Sequence, residues 1–227
     1  MQAVILAAGK GTRMAPLTHD IPKPMLQLRG KPILEYTLNT LPKEVDEIIV
    51  VINYLGHCIE EYFGKEYGGR KIIYVKQEKL DGTGGAILAC KNVLKEKFLV
   101  LMGDDLYHKD DIQKLAEENM AILAFETENP TRFGVFKTDK KNRLVDIIEK
   151  PKDSDYKLVN AGAYILNNKF FDYNLVAISE TEFGLPQTIA KMAKDFNVKI
   201  IPAKIWQPVG YPEDLKKAEK ILDKFMK

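Results

Sequence analysis

Ala3-Val4-Ile5-Leu6-Ala7-Ala8-Gly9-Lys10-Gly11-Thr12-Arg13-Met14 opens the chain, and its reading decides the fold. An unbroken apolar run from Ala3 to Ala8 stops at a glycine. Such a run is the mark of a strand buried on both faces, as in a parallel sheet. The loop after it carries Lys10 and Arg13, and Lys23 follows between Pro22 and Pro24. Glycines let backbone approach a ligand closely, and free N–H groups beside cations bind polyphosphate. The two prolines restrict the backbone at Lys23 and can hold its charge in place. A surface lysine in a proline-rich turn is the alternative.

Outward from this strand, the chain alternates strand, loop and helix. Apolar spacing and flanking breakers predict helices over 31–41, 55–63, 86–93 and 110–118, and strands over 48–52, 71–75, 98–102 and 120–125. That alternation predicts an α/β fold: a Rossmann-like, mainly parallel sheet with helices on both faces. Ligands in such sheets sit at the carboxyl ends of the strands. The loops 9–25, 77–85 and 103–105 all follow strands, so right-handed crossovers bring them to one crevice. The second half reads as mixed: strands over 134–137, 143–148, 159–166 and 198–202, a helix over 185–194 and a terminal amphipathic helix. Residues 1–227 are read as one domain, with 1–126 as its first half and 127–227 as a second, smaller lobe closing over it.

Composition narrows the partners. A net charge of +2 leaves no broad basic field for nucleic acid, so an anion site must be local. No run reaches the ~18 apolar residues of a membrane span, and no leader pattern opens the chain. The two cysteines, Cys58 and Cys90, have no metal spacing and read as reduced thiols of a cytoplasmic protein. The three histidines, His19, His57 and His108, have no partners at metal or triad spacing and read as surface or capping residues. A homo-oligomer is left open.

Familiar nucleotide motifs fail. Gly9-Lys10-Gly11-Thr12 has the wrong order for a Walker loop, and Met14 stands where the dinucleotide fingerprint needs its third glycine. Gln77, followed by Gly82-Thr83, offers an amide with donor and acceptor, suited to a pyrimidine edge, although glycine here can also serve a helix end. Asp104 ends a buried strand, as a Mg²⁺ ligand or a helix cap would. Asp105 is expected to point elsewhere. Glu149-Lys150 sits at a strand end before Pro151, either as an exposed ion pair or as a sugar-hydroxyl acceptor beside a phosphate-binding cation.

Together these residues resemble the sugar-1-phosphate nucleotidyltransferases. The resemblance runs from Ala3 to Leu215. It rests on Leu6-Ala7-Ala8-Gly9-Lys10-Gly11-Thr12-Arg13-Met14 with Pro22-Lys23-Pro24, on Gln77 with Gly82-Thr83, on Gly103-Asp104, Glu149-Lys150-Pro151 and Asn160-Ala161-Gly162, and on Trp206 with Gly210 and Pro212-Glu213-Asp214-Leu215. It implies in-line attack by a sugar-1-phosphate oxygen on the α-phosphorus of an NTP, with Mg²⁺ as cofactor. Carried over, Arg13, Lys23, Asp104 and Lys150 are the catalytic set. Leu6, Ala8, Gly9, Gly11, Thr12, Arg13, Lys23, Gln77, Gly82 and Thr83 would bind nucleotide. Gly134, Glu149, Lys150 and Asn160 would bind sugar phosphate, and Asp104 the metal. UTP or dTTP, with glucose-1-phosphate or an N-acetylhexosamine-1-phosphate, is favoured. A non-catalytic sugar-nucleotide-binding regulator and a cytidylyltransferase for a phosphorylated alcohol are the alternatives. Two departures stand out: Pro208 occupies the place of an expected metal-binding Asp, and Leu185-Pro186-Gln187 replaces Leu-Thr-Asp. The left-handed β-helix that some relatives carry, and the acetyl transfer that goes with it, are not expected.

Overall fold

The computed structural model describes residues 1–226. The opening run forms β1 (Gln2–Leu6), buried at every position. Successive side chains of a strand point to opposite faces. Ala3 and Ile5 accordingly enter one core, and Val4 and Leu6 enter another. The strand is apolar throughout because both of its faces are covered.

Next to it run β2 (Glu47–Ile52), the short edge strand β3 (Glu66–Tyr67), β4 (Arg70–Lys76) and β5 (Lys97–Met102). The order is β5-β1-β2-β4-β3, parallel except for β3. The chain steps outward from β1 to β4 and then returns to the other side of β1 as β5. That reversal is a topological switch point, where open α/β sheets form their ligand crevice. Gly103 N donates to Leu6 O at 3.0 Å across it, so the loops after β1 and β5 leave the sheet side by side.

The second half extends the same sheet with β6 (Ala121–Glu126), β7 (Gly134–Thr138), β8 (Leu144–Glu149), β9 (Leu158–Asn167) and β10 (Lys199–Pro202). The result is one mixed ten-stranded sheet. β9 joins its parts. Val159 pairs with Val135 of β7, and after a bulge the stretch Ala163–Asn167 pairs antiparallel with β5. Gly162 sits in that bulge at φ 71°, in the left-handed region that glycine adopts without strain.

Helices cover both faces. Leu34 and Leu38 of α1 (Ile33–Asn39), Ile59 and Phe63 of α2 (Gly56–Phe63) and Ile112 and Leu115 of α4 (Lys109–Glu117) enter the first core. Ala86 and Ile87 of α3 (Gly82–Ala89) and Leu185 and Ile189 of α5 (Leu185–Met192) enter the second. A third core packs Ala218 of α6 (Pro212–Ile221) with Met14, Leu26, Leu28, Ile33 and Val209. The terminal helix thus docks on the first half of the chain, across the boundary drawn at residue 126.

Several element readings need correction. Helix α3 begins at Gly82, so Gly82–Gly85 are its first turn rather than a loop before it. The glycines serve a close approach: a Cβ on Gly82 would lie 2.5 Å from Phe183 O. Lys31-Pro32 is not helical. It pairs with Gln27-Leu28 through a turn at Arg29 (φ 46°) and Gly30 (φ 79°), and α1 starts only at Ile33. Asp105–Tyr107 and Trp206–Pro208 form an antiparallel ribbon that periodicity does not reveal at three residues each.

Candidate active site

Two adjoining cavities open at the carboxyl ends of β1 and β5, of about 630 and 560 Å³. The first is lined by the loop after β1, by Pro24, Gln77 and Leu80, and by the first turns of α3. Leu6, Ala8, Gly9, Gly11, Thr12, Arg13, Lys23, Gln77, Gly82 and Thr83 all border it. The second is lined by Gly134, Glu149, Lys150 and Asn160, together with Trp206, Pro208 and Tyr211. Arg13, Lys23, Thr83, Met102, Asp104 and Ile178 border both. Every residue singled out from the sequence therefore lies on one crevice with two compartments.

The loop after β1 closes tightly. Gly11 sits at φ 64° and leads into a turn of 3₁₀ helix, Thr12–Met14. Thr18 Oγ1 donates to Gly11 O at 2.9 Å, and a Cβ on Gly11 would press on Lys23 and Thr18 at 3.1 Å each. This packing seats Lys23 beside the loop. Its Nζ is ion-paired with Asp104 Oδ2, joining the β1 loop to the end of β5. In this state the cation and the carboxylate neutralise one another.

Gln77 is buried and oriented. Its Nε2 donates to Asp81 Oδ1 at 2.9 Å and to Gly82 O at 3.0 Å. Both amide hydrogens are thereby used, which leaves Oε1 as the group that can accept. Asp81 is a partner that sequence reading passes over, since nothing marks an acid four residues on as an amide lock.

On the sugar side, Lys150 has φ 41° and lies between β8 and Pro151, with its N donating to Phe133 O at 3.1 Å. The turn brings its Nζ to 3.8 Å from Glu149 Oε1. Gln187 Nε2 donates to Glu149 Oε2 at 3.1 Å. The residue replacing the expected Asp of Leu-Thr-Asp thus reaches the site by holding Glu149. Asn160 is partly engaged in the bulge of β9: its Nδ2 donates to the Tyr164 hydroxyl at 2.7 Å, and its Oδ1 accepts from Gly162 N at 3.0 Å. One N–H and one lone pair remain for a ligand.

Asp105 does not point clear of the site. It borders the sugar-side cavity, pairs with Pro208 in the ribbon, and accepts from Trp206 Nε1 at 3.1 Å and Val209 N at 3.3 Å. Burial, reinforced by the neighbouring Asp104 charge, pushes its carboxyl up to about 7. Each of its oxygens accepts one of these bonds, and together they brace the ribbon. Pro208 itself offers no side-chain ligand, and among the described residues no group of three or more His, Cys, Asp or Glu could hold a metal.

Arg132 and Tyr211 also border the sugar-side cavity, and the sequence reading misses both. Proximity to Gly134 and to Gly210 was the only available hint. Outside the crevice, His108 Nδ1 accepts from Asp110 N at 3.2 Å and caps α4, a capping role within the sequence expectation. Among the described residues, no helix is long and apolar enough to cross a membrane.

Known proteins similar to this chain are numerous. The profile of the nucleotidyl transferase family matches residues 2–224. The bifunctional protein GlmU of Methanococcus aeolicus is 39% identical over 95% of this chain and 53% of its own length. The chain spans about half the length of such relatives. The UTP–glucose-1-phosphate uridylyltransferase AglF of Haloferax volcanii is 33% identical over 98% of this chain and 96% of its own. Among solved structures, a UDP-glucose pyrophosphorylase complexed with UDP-glucose superposes with a TM-score of 0.84 at 22% identity, covering 98% of each chain. The inositol-1-phosphate CTP transferase from T. maritima does so at 0.84 and 21%, covering 100% of this chain and 96% of its own. At those identities the two structures share the fold.

Proposed function

The chain belongs to the nucleotidyl transferase family, and from that premise we propose that it transfers the nucleotidyl group of an NTP to a sugar 1-phosphate, releasing pyrophosphate. The observation that carries this reading is the pair of cavities meeting at Arg13, Lys23 and Asp104. A transferase joining two phosphates needs two substrate compartments and shared charge where they touch. In the reaction, a phosphate oxygen of the sugar 1-phosphate bonds to the α-phosphorus as the bond to pyrophosphate breaks. No protein nucleophile is required; positioning and charge neutralisation supply the rate.

The residue roles follow. The backbone of Ala8, Gly9 and Gly11, with Leu6 and Thr12, cradles the nucleotide, and Thr83 stands at the junction. Arg13 and Lys23 hold the triphosphate, which draws Lys23 away from Asp104. Gly134, Glu149 and Asn160 receive the sugar hydroxyls, and Lys150 neutralises the sugar phosphate. Gln77, oriented by Asp81 and Gly82, presents Oε1 to the base. Uracil and thymine carry a hydrogen on N3, whereas cytosine does not. This favours UTP or dTTP and counts against CTP. The sugar is glucose-1-phosphate or an N-acetylhexosamine-1-phosphate.

Enzymes of this family generally use a divalent metal. Mg²⁺ takes one or two carboxylates, completing its shell with phosphate oxygens and water. Asp104, once released by Lys23, fits that requirement as a single carboxylate, although Pro208 leaves no second one. When bound there, Mg²⁺ supplies neutralisation of phosphate charge. Pro208 also favours a second reading, a regulatory protein that binds sugar nucleotides without turnover.

A panel of UTP, dTTP, CTP, ATP and GTP against several sugar 1-phosphates, with and without Mg²⁺, separates the two. Pyrophosphate release with UTP or dTTP is expected. Saturable binding with no release from any pair would establish the regulator instead.

A further inference from the structure

We propose that Tyr211 is a positioning residue for Arg13, holding its guanidinium at the junction of the two cavities and tying that orientation to Arg132 on the sugar side. The inference rests on the proposed nucleotidyl transfer.

The Arg13 Cζ lies 5.3 Å from the centroid of the Tyr211 ring, and the Arg132 Cζ lies 5.0 Å from it. One ring thus serves two guanidiniums, one from the loop after β1 and one from the turn before β7. The two arginines differ in everything else that touches them. Arg132 Nη2 pairs with Asp214 Oδ2 at 3.1 Å. Among the described residues, Arg13 makes no ion pair and no side-chain hydrogen bond; its contact is the aromatic face.

That difference has a chemical consequence. A carboxylate partner would orient Arg13 but cancel its charge. An aromatic face attracts a guanidinium through the ring quadrupole, biases its rotamer and leaves all of its donors and its full charge in place. Arg13 is exposed and long, and it borders both cavities. Without the ring its cation would be free to turn into solvent. With it, the cation stays where the phosphates of the two substrates meet.

Both ends of the contact are anchored. Tyr211 N and Gly210 N each donate to Asp214 Oδ2 at 3.0 Å, and Asp214 is only 5% exposed. Met14, next to Arg13, and Val209, two residues before Tyr211, lie in the same apolar core. The segment from 206 to 214 therefore delivers the ring to the loop after β1. It does so at the position where Pro208 withholds a carboxylate, so in this chain the segment's contribution to the reacting phosphates comes through a positioned cation.

The experiment is a double-mutant cycle on the purified full chain, reading kcat and KM for UTP and for the sugar 1-phosphate. Tyr211→Ala is expected to lower kcat roughly tenfold with a smaller change in KM, while Tyr211→Phe keeps the ring face and most of the rate. In an Arg13→Ala background, Tyr211→Ala should cost nothing further. Losses that multiply across the cycle, or a Phe variant as impaired as the Ala one, would overturn the proposal. Thermal melts check that each variant folds. Should Tyr211→Ala melt early, Tyr211→Leu, which keeps apolar volume without an aromatic face, replaces it with the same expectation. If the wild-type chain releases no pyrophosphate with any pair, the proposed function fails. The cycle is then read on the Kd of a non-hydrolysable UTP analogue, where non-additivity still supports the Tyr211 role and additivity still sinks it.

Discussion

At the scale of single residues, the site is set by which polar groups are already engaged. Lys23 and Asp104 satisfy each other in an ion pair, so the free protein has little to offer a metal ion there. Replacing Lys23 by Met should unmask the carboxylate: Mn²⁺ titration followed by EPR is expected to show at least roughly tenfold tighter binding to nucleotide-free Lys23→Met than to wild type. Unchanged affinity would mean that the ion pair does not shield Asp104. Asp104→Asn should cost on the order of 100-fold or more in Mg²⁺-dependent kcat, the range seen when one charge-stabilising group is lost. Gln77 presents the same logic at the base. With its amide hydrogens held by Asp81 and Gly82, removing the acceptor in Gln77→Leu should cut kcat/KM for UTP by about 100-fold and bring the UTP:CTP ratio close to one. Retained preference for UTP in that variant would place base selection elsewhere.

At the scale of elements, the hairpin formed by Val176-Ala177 and Phe183-Gly184 connects the two compartments. Phe183 N donates to Asp81 O at 2.7 Å, and Leu185 N donates to Thr83 Oγ1 at 3.0 Å. The hairpin can come this close to α3 because Gly82 has no Cβ and sits at φ 90°. Alanine there would meet both a strained backbone and a carbonyl oxygen in its path. Gly82→Ala is expected to destabilise the fold by about 2 kcal/mol or more, seen as a lowered Tm. It should also raise the KM for UTP, because Asp81 and Gly82 O orient Gln77. A variant with an unchanged melt and unchanged KM would show that the hairpin can draw back without consequence. In the sequence Gly82-Thr83-Gly84-Gly85 reads as a glycine-rich loop ahead of a helix; in the structure it is the helix's first turn, with Gly82 and Gly84 packed against Phe183 a hundred residues away.

At the scale of the whole molecule, three apolar cores lock one mixed sheet and its covering helices, and the thiols report on that assembly. Cys90 is fully buried in the second core, and burial pushes its thiol up to about 12. A raised thiol pKa keeps the neutral, unreactive form, and full burial keeps reagents away from it. Cys58, only partly buried, should react readily with a thiol reagent, whereas Cys90 should be modified only at the rate of global unfolding. Rapid modification of both under native conditions would show that the second core opens locally. The sequence by itself determined the parallel half of the sheet and many of the residues that border the crevice, but not Asp105, Arg132 or Tyr211. Short apolar runs rich in β-branched residues and stopped by glycine read as strands covered on both faces, and the ligand crevice of such folds lies at the strand ends. Only the tertiary structure decided how those residues are set. Gln77 is oriented by a neighbouring carboxylate, Glu149 is held by Gln187 from α5, Asp105 is turned inward to brace the Trp206–Pro208 ribbon, and the Arg13 guanidinium lies over the Tyr211 ring. These partners lie up to about two hundred residues apart in the chain, and periodicity and spacing describe only neighbours. Orientation and charge state depend on what folding brings into contact, and no local pattern records it.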